Sequence, residues 1–372
     1  MRLDNNQRAF FALVKAGLWE KDVRLLPFGG IDFNIVYRLA EEQSVIGLVA
    51  AGLEHVIDFK APQEVVLQFV GQTLQLEQRN KSMNEFIGHL YNKLDRERIH
   101  AILLKGQGVA QCYERPLWRV CGDVDLLLDK TNYEKAKDYL VPIASAVEEE
   151  DCGRLHLGMN IDPWVVELHG TLHGYLWQRA EALIDDVIYD TINTDNVRLW
   201  GDCAVNVKLP AQDNDVVIVF THILQHFFTG GIGIRQLCDW CRLLWTFRDK
   251  IDLVLLKERL QKAGILNEWQ AFAALAVETL GMPAEAMPFY SPSRRWSRKA
   301  EKALAFVLET GNFGHNRDVS YYQKYPYLVY KTISLCRNTR DSMRHLVIFP
   351  LGATKVWWSR TKEGIRSVMK GK

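Results

Sequence analysis

The sequence predicts an α+β fold: a mixed sheet in the middle of the chain, flanked by helices before and after it. Three observations carry this. Apolar residues recur at three- and four-residue intervals before residue 100 and again after 209, short β-type runs separated by turn residues fill the interval, and no repeat of fixed length appears. A hydrophobic share of 48% over 372 residues supplies ample apolar surface for a sizeable core.

The first three helical stretches are QRAFFALVKAGLW, FNIVYRLAEEQSVIGLVAAGLEHV and PQEVVLQFVGQTLQLEQRNKSMNEFIGHLYNKLDRERI, with Pro62 suited to the first turn of the last. They form an N-terminal helical region, 1–99, with no polar constellation suited to chemistry. From His100 the period shortens. AILLK reads as a strand, 106–113 as a helix, DVDLLLD as a second strand, and TNYEKAKDYLV as a helix capped by Thr131 with Glu134 three residues on. SAVEEE, RLHLGMN and WVVELHG follow as strands of the same sheet, which sets an α/β core over 100–208. DNDVVIVFTHILQHFF, IRQLCDWCRLLWTF, DLVLLKERLQKAG, NEWQAFAALAVETLG and SRKAEKALAFVLETG return to the helical period and make a C-terminal helical domain, 209–372.

The net charge of +1 implies no global attraction to nucleic acid or to a membrane, so any such attraction is local. Nine Lys or Arg against two acidic residues give the segment from Arg337 to Lys372 a charge of +7, with Phe349, Trp357 and Trp358 among them. Two readings stand for this basic tail: a weak contact with anionic lipid or a partner, or packing of the tryptophans on the helical domain with the charges solvated. No stretch approaches the ~20 apolar residues of a membrane span, and the start MRLDNNQRAFFALVKAG lacks the pattern of a secretory signal. A cytoplasmic location is therefore expected. The seven cysteines, Cys203 among them, have no framework spacing and read as reduced thiols. Cys238 and Cys241 share a helix side, where packing is favoured over a metal or redox site because no second pair completes a zinc set.

The chemistry concentrates in KGQGVAQCYERPLWRVCGDVDLLLD. Alternation along a strand points Asp123 and Asp125 to one side while Val124 and Leu126 turn to the buried side. Their mutual repulsion favours a cation between them, and hard ions such as Mg²⁺ take carboxylate oxygens. In WVVELHG, Glu167 and His169 share a face. If that strand neighbours DVDLLLD, three carboxylates converge, enough to hold two divalent ions for displacement at phosphorus. A bland alternative is an Asp-x-Asp that only caps a turn. Lys105 and Gly106 close a strand and open a helix, where glycine lets an anion approach, and Lys105 and Arg119 can both reach triphosphate oxygens. For Arg119 a surface ion pair is the other reading.

LLKGQGVAQCYERPLWRVCGDVDLLL followed by VVELHGTLH resembles the polymerase-β-type nucleotidyltransferase superfamily, with its glycine turn, Asp-x-Asp strand and later third acid. More narrowly it is similar to a poorly characterised bacterial nucleotidyltransferase-like family, through LPAQDNDVVIVFTHILQHFFTGGIGIRQLCDWCRLL to about residue 310. The resemblance implies a nucleotidyltransferase-type mixed sheet, a nucleoside triphosphate substrate, two Mg²⁺ ions with Mn²⁺ able to substitute, and transfer of a nucleoside monophosphate. The acceptor stays open among a sugar, a small metabolite, a protein side chain and an RNA end. Carried over by position, Asp123 and Asp125 bind metal, Glu167 binds metal or serves as base, and Gly106 contacts phosphates. Where the superfamily has Gly-Ser or Gly-Gly, this chain has Gly106-Gln107, so a phosphate-touching hydroxyl is missing, and either Lys105 compensates or the activity is altered.

The remaining polar candidates lie where the helical domain would meet the sheet, a common place for a substrate cleft. His169 binds substrate or hydrogen-bonds beside the acids. His222 and His226, four apart, have metal-ligand spacing but no sequence-adjacent third acid, which favours packing. Arg235 and Asp239 make a helix ion pair or line the cleft. The rival to an enzyme is a non-catalytic nucleotide-binding or scaffold protein that retains the fold.

Overall fold

The computed structural model describes residues 3–200, 206–314 and 325–369, which leaves Cys203 and the last three residues of the basic tail outside the described residues. The chain opens with helices α1 (Asn5–Trp19), α2 (Phe33–Glu42), α3 (Ile46–Glu54) and the long α4 (Gln63–Arg96). Asp4 and Asp32 cap α1 and α2 by accepting from Gln7 N and Asn34 N, and Pro62 stands just before α4, where its missing N–H costs no helical bond.

The central segment is the expected mixed sheet. Strand β1 (Ile102–Leu104) leads through α5 (Gly106–Ala110) to β2 (Asp123–Leu127), then α6 (Lys130–Leu140), β3 (Ala146–Val147), β4 (His156–Ile161) and β5 (Trp164–His169). The spatial order is β1-β2-β5-β4-β3; β2 and β5 run parallel and the other neighbours antiparallel. Two local expectations change. The helix after Lys105 is short, ending at Ala110 rather than Tyr113. The cap of α6 is Asp129 rather than Thr131, because the Asp129 carboxylate, outside the first turn, accepts from Asn132 N at 2.9 Å. The sequence reading also had no counterpart for α7 (Gln178–Asn193) or the small hairpin β6 (Val197–Leu199) with β7 (Lys208–Pro210), although Ala180, Leu183, Ile184 and Val187 keep a helical period.

The five helical patterns after 209 all form: α8 (Gln212–Thr229), α9 (Ile234–Thr246), α10 (Leu253–Ala263), α11 (Leu266–Glu278) and α12 (Arg294–Thr310). A last pair, α13 (Tyr327–Ile348) and α14 (Pro350–Met369), carries the basic segment. Phe349, between them, is buried and stacks on Phe272 at 6.0 Å, and Trp357 Nε1 donates to Thr339, while Trp358 is 66% exposed. No helix among the described residues is long and apolar enough to cross a membrane. Cys238 and Cys241 are buried in the apolar core as free thiols, and burial holds both well above the usual thiol range.

Alternation decides what each face of the sheet does. Val124, Leu126, Val166 and Leu168 point to the back, where they pack with Met83, Ile87 and Leu90 of α4 and Tyr133 and Leu140 of α6. The front carries Asp123, Asp125, Glu167 and His169 and looks toward α8 and α9. A second apolar core joins Phe10 and Val49 of the first helices to Phe220, Trp240, Trp269 and Phe272 of the later ones, so helices from both ends of the chain wall the front of the sheet together. Among the first helices, α1 and α3 pack closely because they cross on glycines. A Cβ on Gly17 would sit 2.0 Å from Leu48 O, and one on Gly52 would sit 2.1 Å from Leu13 O. Gly52→Ala therefore forces the two backbones apart and should destabilise the fold by about 1–3 kcal/mol. The check is the denaturation midpoint; an unchanged midpoint would mean that the crossing relaxes freely.

Candidate functional site

The register of β2 and β5 builds the site. Asp125 lies directly beside Glu167 and Asp123 beside Val165 in the parallel pair, so the three acids come from adjacent strands and one face. Lys105 stands at the end of β1, with φ +46° and ψ −134°, a sparsely populated positive-φ conformation that costs a non-glycine residue roughly 1–3 kcal/mol. Gly106 follows at φ +40°, and a Cβ there would meet Cys121 Sγ at 3.3 Å and Asp123 O at 3.5 Å. The turn is thus pressed against the start of β2 and brings Lys105 Nζ to 3.5 Å from Asp125 Oδ2.

On the other side of Asp125, His169 Nε2 donates to Oδ1 at 2.7 Å and lies 3.4 Å from Glu167 Oε2. His156 Nε2 donates to the same Glu167 oxygen at 3.2 Å. These contacts separate the three acids electrically. The Asp125 charge, aided by burial, pushes Asp123 above the usual carboxylate range. Asp125 itself, although burial pushes it up, is held below that range by Lys105 and His169. Glu167 is likewise held below that range, by its hydrogen bonds from His156 and His169, against the upward push of burial. Burial pushes His169 down, but its bonds to Asp125 and Glu167 outweigh that and leave it above the ordinary 6.5.

A cavity of about 310 Å³ opens over this face between the sheet and helices α8 and α9. All the residues singled out from the sequence line it except Gln107 and His169, and His169 lines an adjoining cavity of about 320 Å³ that shares Lys105, Glu167, His222 and His226 with the first. Within that set the structure reassigns several parts. Arg119 is 4% exposed and makes a bidentate pair with Asp239, Nε to Oδ1 at 2.9 Å and Nη2 to Oδ2 at 2.7 Å, while Tyr113 OH donates to Oδ1 at 2.7 Å. It is a buried cross-link, neither a surface pair nor a cation open to a ligand. Arg235, 3.8 Å from Asp239, is the weaker partner of that acid, and its buried Nε makes no hydrogen bond. Gln107 is turned away from the cavity: its Nε2 donates to Asn80 Oδ1 at 2.8 Å on α4, and Asn80 Nδ2 in turn holds Leu117 O and Arg119 O. Its side chain braces the loop before β2.

His222 and His226 face each other on α8 with ring centroids 4.3 Å apart. Burial drives both down, His222 well below 6.5 and His226 to about 4, so both are neutral imidazoles at pH 7. His156 was missed from the sequence, yet its place was readable. A two-residue Asp162-Pro163 turn pairs Ile161 with Trp164, and counting back along both strands sets His156 opposite His169.

The donor set fits hard divalent ions. Asp123 and Asp125 offer oxygens on one face with an unrelieved repulsion between them, and Glu167 adds a third carboxylate in reach of the same cavity. Residues 29–281 match the family model described as uncharacterised nucleotidyltransferase. The chain belongs to the uncharacterised nucleotidyltransferase family. The matched span holds every residue of the site described above, whereas α12, α13 and α14 lie beyond it. No curated protein and no solved structure matches the chain. Membership of this nucleotidyltransferase family and an acidic face over a cavity agree at a general level with transferase chemistry.

Two outcomes follow from these contacts. Breaking the buried pair by Arg119→Met or Asp239→Asn leaves one charge uncompensated and should cost about 3–5 kcal/mol, read from denaturant unfolding. Burial pushes Asp239 up but Arg119 outweighs it and holds the acid low, so this stability is present above the unfolded carboxylate range and is lost as pH falls. In chelator-treated protein, NMR titration should place His169 above 6.5 and His226 near 4. Because the His169 value is raised, its contribution is full below 6.5 and fades as pH rises through its folded value. Asp125→Asn should drop His169 below 6.5, since burial then dominates; an unmoved titration would refute the assigned coupling.

Proposed function

We propose that this protein transfers a nucleoside monophosphate from a nucleoside triphosphate to an acceptor hydroxyl in the cavity between the sheet and helices α8 and α9. The observation that carries the reading is the pairing of Asp125 with Glu167 across β2 and β5, which sets three carboxylates on one cavity-facing surface. Asp123, Asp125 and Glu167 are the residues that would hold Mg²⁺. When bound, such ions supply Lewis acidity at the reacting oxygens and neutralise charge on the departing pyrophosphate.

The chain's own groups do the rest. Lys105 and Arg235 face the cavity beside Arg119, whose charge is taken by Asp239, and they bind the phosphate oxygens. His222 and His226, being neutral, contribute shape and hydrogen bonding without adding charge. Glu167 accepts no proton near neutral pH because His156 and His169 stabilise its charge, so it acts as ligand and not as base. In the transfer the acceptor oxygen bonds to the α-phosphorus, the bond from that phosphorus to the bridging oxygen breaks, and pyrophosphate leaves with its electrons. The acceptor proton passes to solvent. A cavity of about 310 Å³ with one adjoining of about 320 Å³ suits a nucleotide and a compact acceptor side by side. A long polynucleotide would need a basic path that the near-neutral net charge does not provide.

Pyrophosphate release from a panel of nucleoside triphosphates and acceptors, with Mg²⁺ and the full chain, tests the reading. Asp123→Asn, Asp125→Asn and Glu167→Gln should each lower the rate by at least about 10²–10³-fold, and Asp123→Asn, which removes the least compensated charge, should do so without lowering the unfolding midpoint. Full activity in the Asp123→Asn variant sinks the mechanism. Triphosphate binding without release across the panel favours the non-catalytic, nucleotide-binding alternative. Separately, Arg235→Ala should weaken triphosphate binding by about 1.5–3 kcal/mol, the range for hydrogen bonds to charged groups, as read by calorimetry.

A further inference from the structure

We propose that His156, His169 and Glu167 form a binding site for one borderline transition-metal ion of the Zn²⁺ class, which shares the Glu167 carboxylate with the hard-ion position at Asp123 and Asp125 but adds two imidazoles to it. The three side chains come from neighbouring strands, and one donor atom from each lies within 4.8 Å of the other two. His156 Nε2 is 3.2 Å and His169 Nε2 is 3.4 Å from Glu167 Oε2. Around one ion with bonds of about 2.0–2.2 Å, adjacent tetrahedral ligand atoms stand roughly 3.3–3.5 Å apart. Two of the three edges are therefore near ligand spacing before any ion is considered.

The backbone makes this spacing a built feature. His156 lies directly opposite His169 in the antiparallel β4–β5 pair, with ring centroids 4.9 Å apart, and Glu167 is two residues from His169 on the same face. Neither imidazole depends on a loop for its position. The donor chemistry separates this site from the aspartate pair: two imidazoles with one carboxylate suit Zn²⁺ and its neighbours, whereas oxygen-only sets suit Mg²⁺. Three protein ligands facing a cavity of about 320 Å³ leave a coordination position open, which is the arrangement of catalytic sites and not of closed structural ones. Asp125 Oδ1, 2.7 Å from His169 Nε2, adjoins the site. What an ion there would act on, the acceptor, rests on the nucleotidyl-transfer reading; its binding does not.

The test uses the full chain, stripped by chelator and reloaded with Zn²⁺ alone. About one equivalent should be retained, X-ray absorption should show about two imidazole nitrogens in the zinc shell, and Mg²⁺ in excess should not displace it. His156→Gln should weaken Zn²⁺ binding by at least roughly tenfold, the lower bound even for losing a supporting group, while Asp123→Asn should leave it in place. A zinc shell without imidazole, or an unchanged affinity in His156→Gln, overturns the site and leaves a hydrogen-bonded His–Glu–His network. If that variant misfolds, the absorption spectrum of the parent chain decides. His-dependent zinc binding in a chain that releases no pyrophosphate would reject the transfer reading and keep the metal site, and the converse result would do the opposite.

Discussion

The buried pair of Arg119 and Asp239 is the constraint on which the site's geometry turns. It joins the loop that leads into β2 to helix α9, and both ends are bidentate, nearly dry and further tied by Tyr113. A pair of this kind adds little net stability over a well-packed apolar substitute, but it tolerates no sliding, because any shift strands a charge in the core. It therefore sets where α9 stands relative to the sheet. It also settles the part played by Arg235: with both Asp239 oxygens taken by Arg119, the second guanidinium remains as a cation on the cavity wall.

A second charge economy operates on the sheet itself. Three acids on one face would repel strongly if left alone, and the fold answers with Lys105 and His169 on Asp125 and with His156 and His169 on Glu167. Asp123 is left as the acid whose repulsion is least relieved, which is why it alone of the three is pushed upward. Compensation from within the protein thus runs along the sheet from β4 toward β2 and weakens at Asp123, where Lys105 and Arg235 act but are outweighed by Asp125 and burial. A divalent ion favours this end of the row, since it is where an added positive charge removes the most unfavourable energy.

How much of this was legible depended on the range of the interaction. The alternation that puts Asp123 and Asp125 on one side of their strand, and Glu167 and His169 on one side of theirs, is local, and the structure keeps it. That β2 and β5 are neighbours is not local: they are separated by a helix and two strands, and their parallel register follows from packing against α4 and α6. His156 fell between these cases, since a short turn determines its partner once the hairpin is recognised. The partner of Arg119 was not readable because it lies 120 residues away. A lone arginine before an acidic strand carries no sign in the sequence of whether a distant carboxylate will claim it. The place of Gln107 was hidden for a similar reason, its side chain being taken by Asn80 on a helix earlier in the chain.

These two kinds of positioning imply that the parts of the cavity respond differently to perturbation. Distances among Asp123, Asp125, Glu167, His156 and His169 are set by strand pairing, where each residue is held by backbone hydrogen bonds to its neighbours, so they are stiff. Distances from that face to His222, His226 and Arg235 are set by how α8 and α9 rest on it, through a core shared with α1 and α3. A change in that core, even one far from the cavity such as a side chain at the α1–α3 crossing, therefore bears first on the helical wall, within the play that the Arg119–Asp239 pair permits, and only through it on the acidic face. Groups that hold ions are thereby insulated from groups that grip the rest of a ligand. The chemistry rests on the sheet, and the fit rests on the helices.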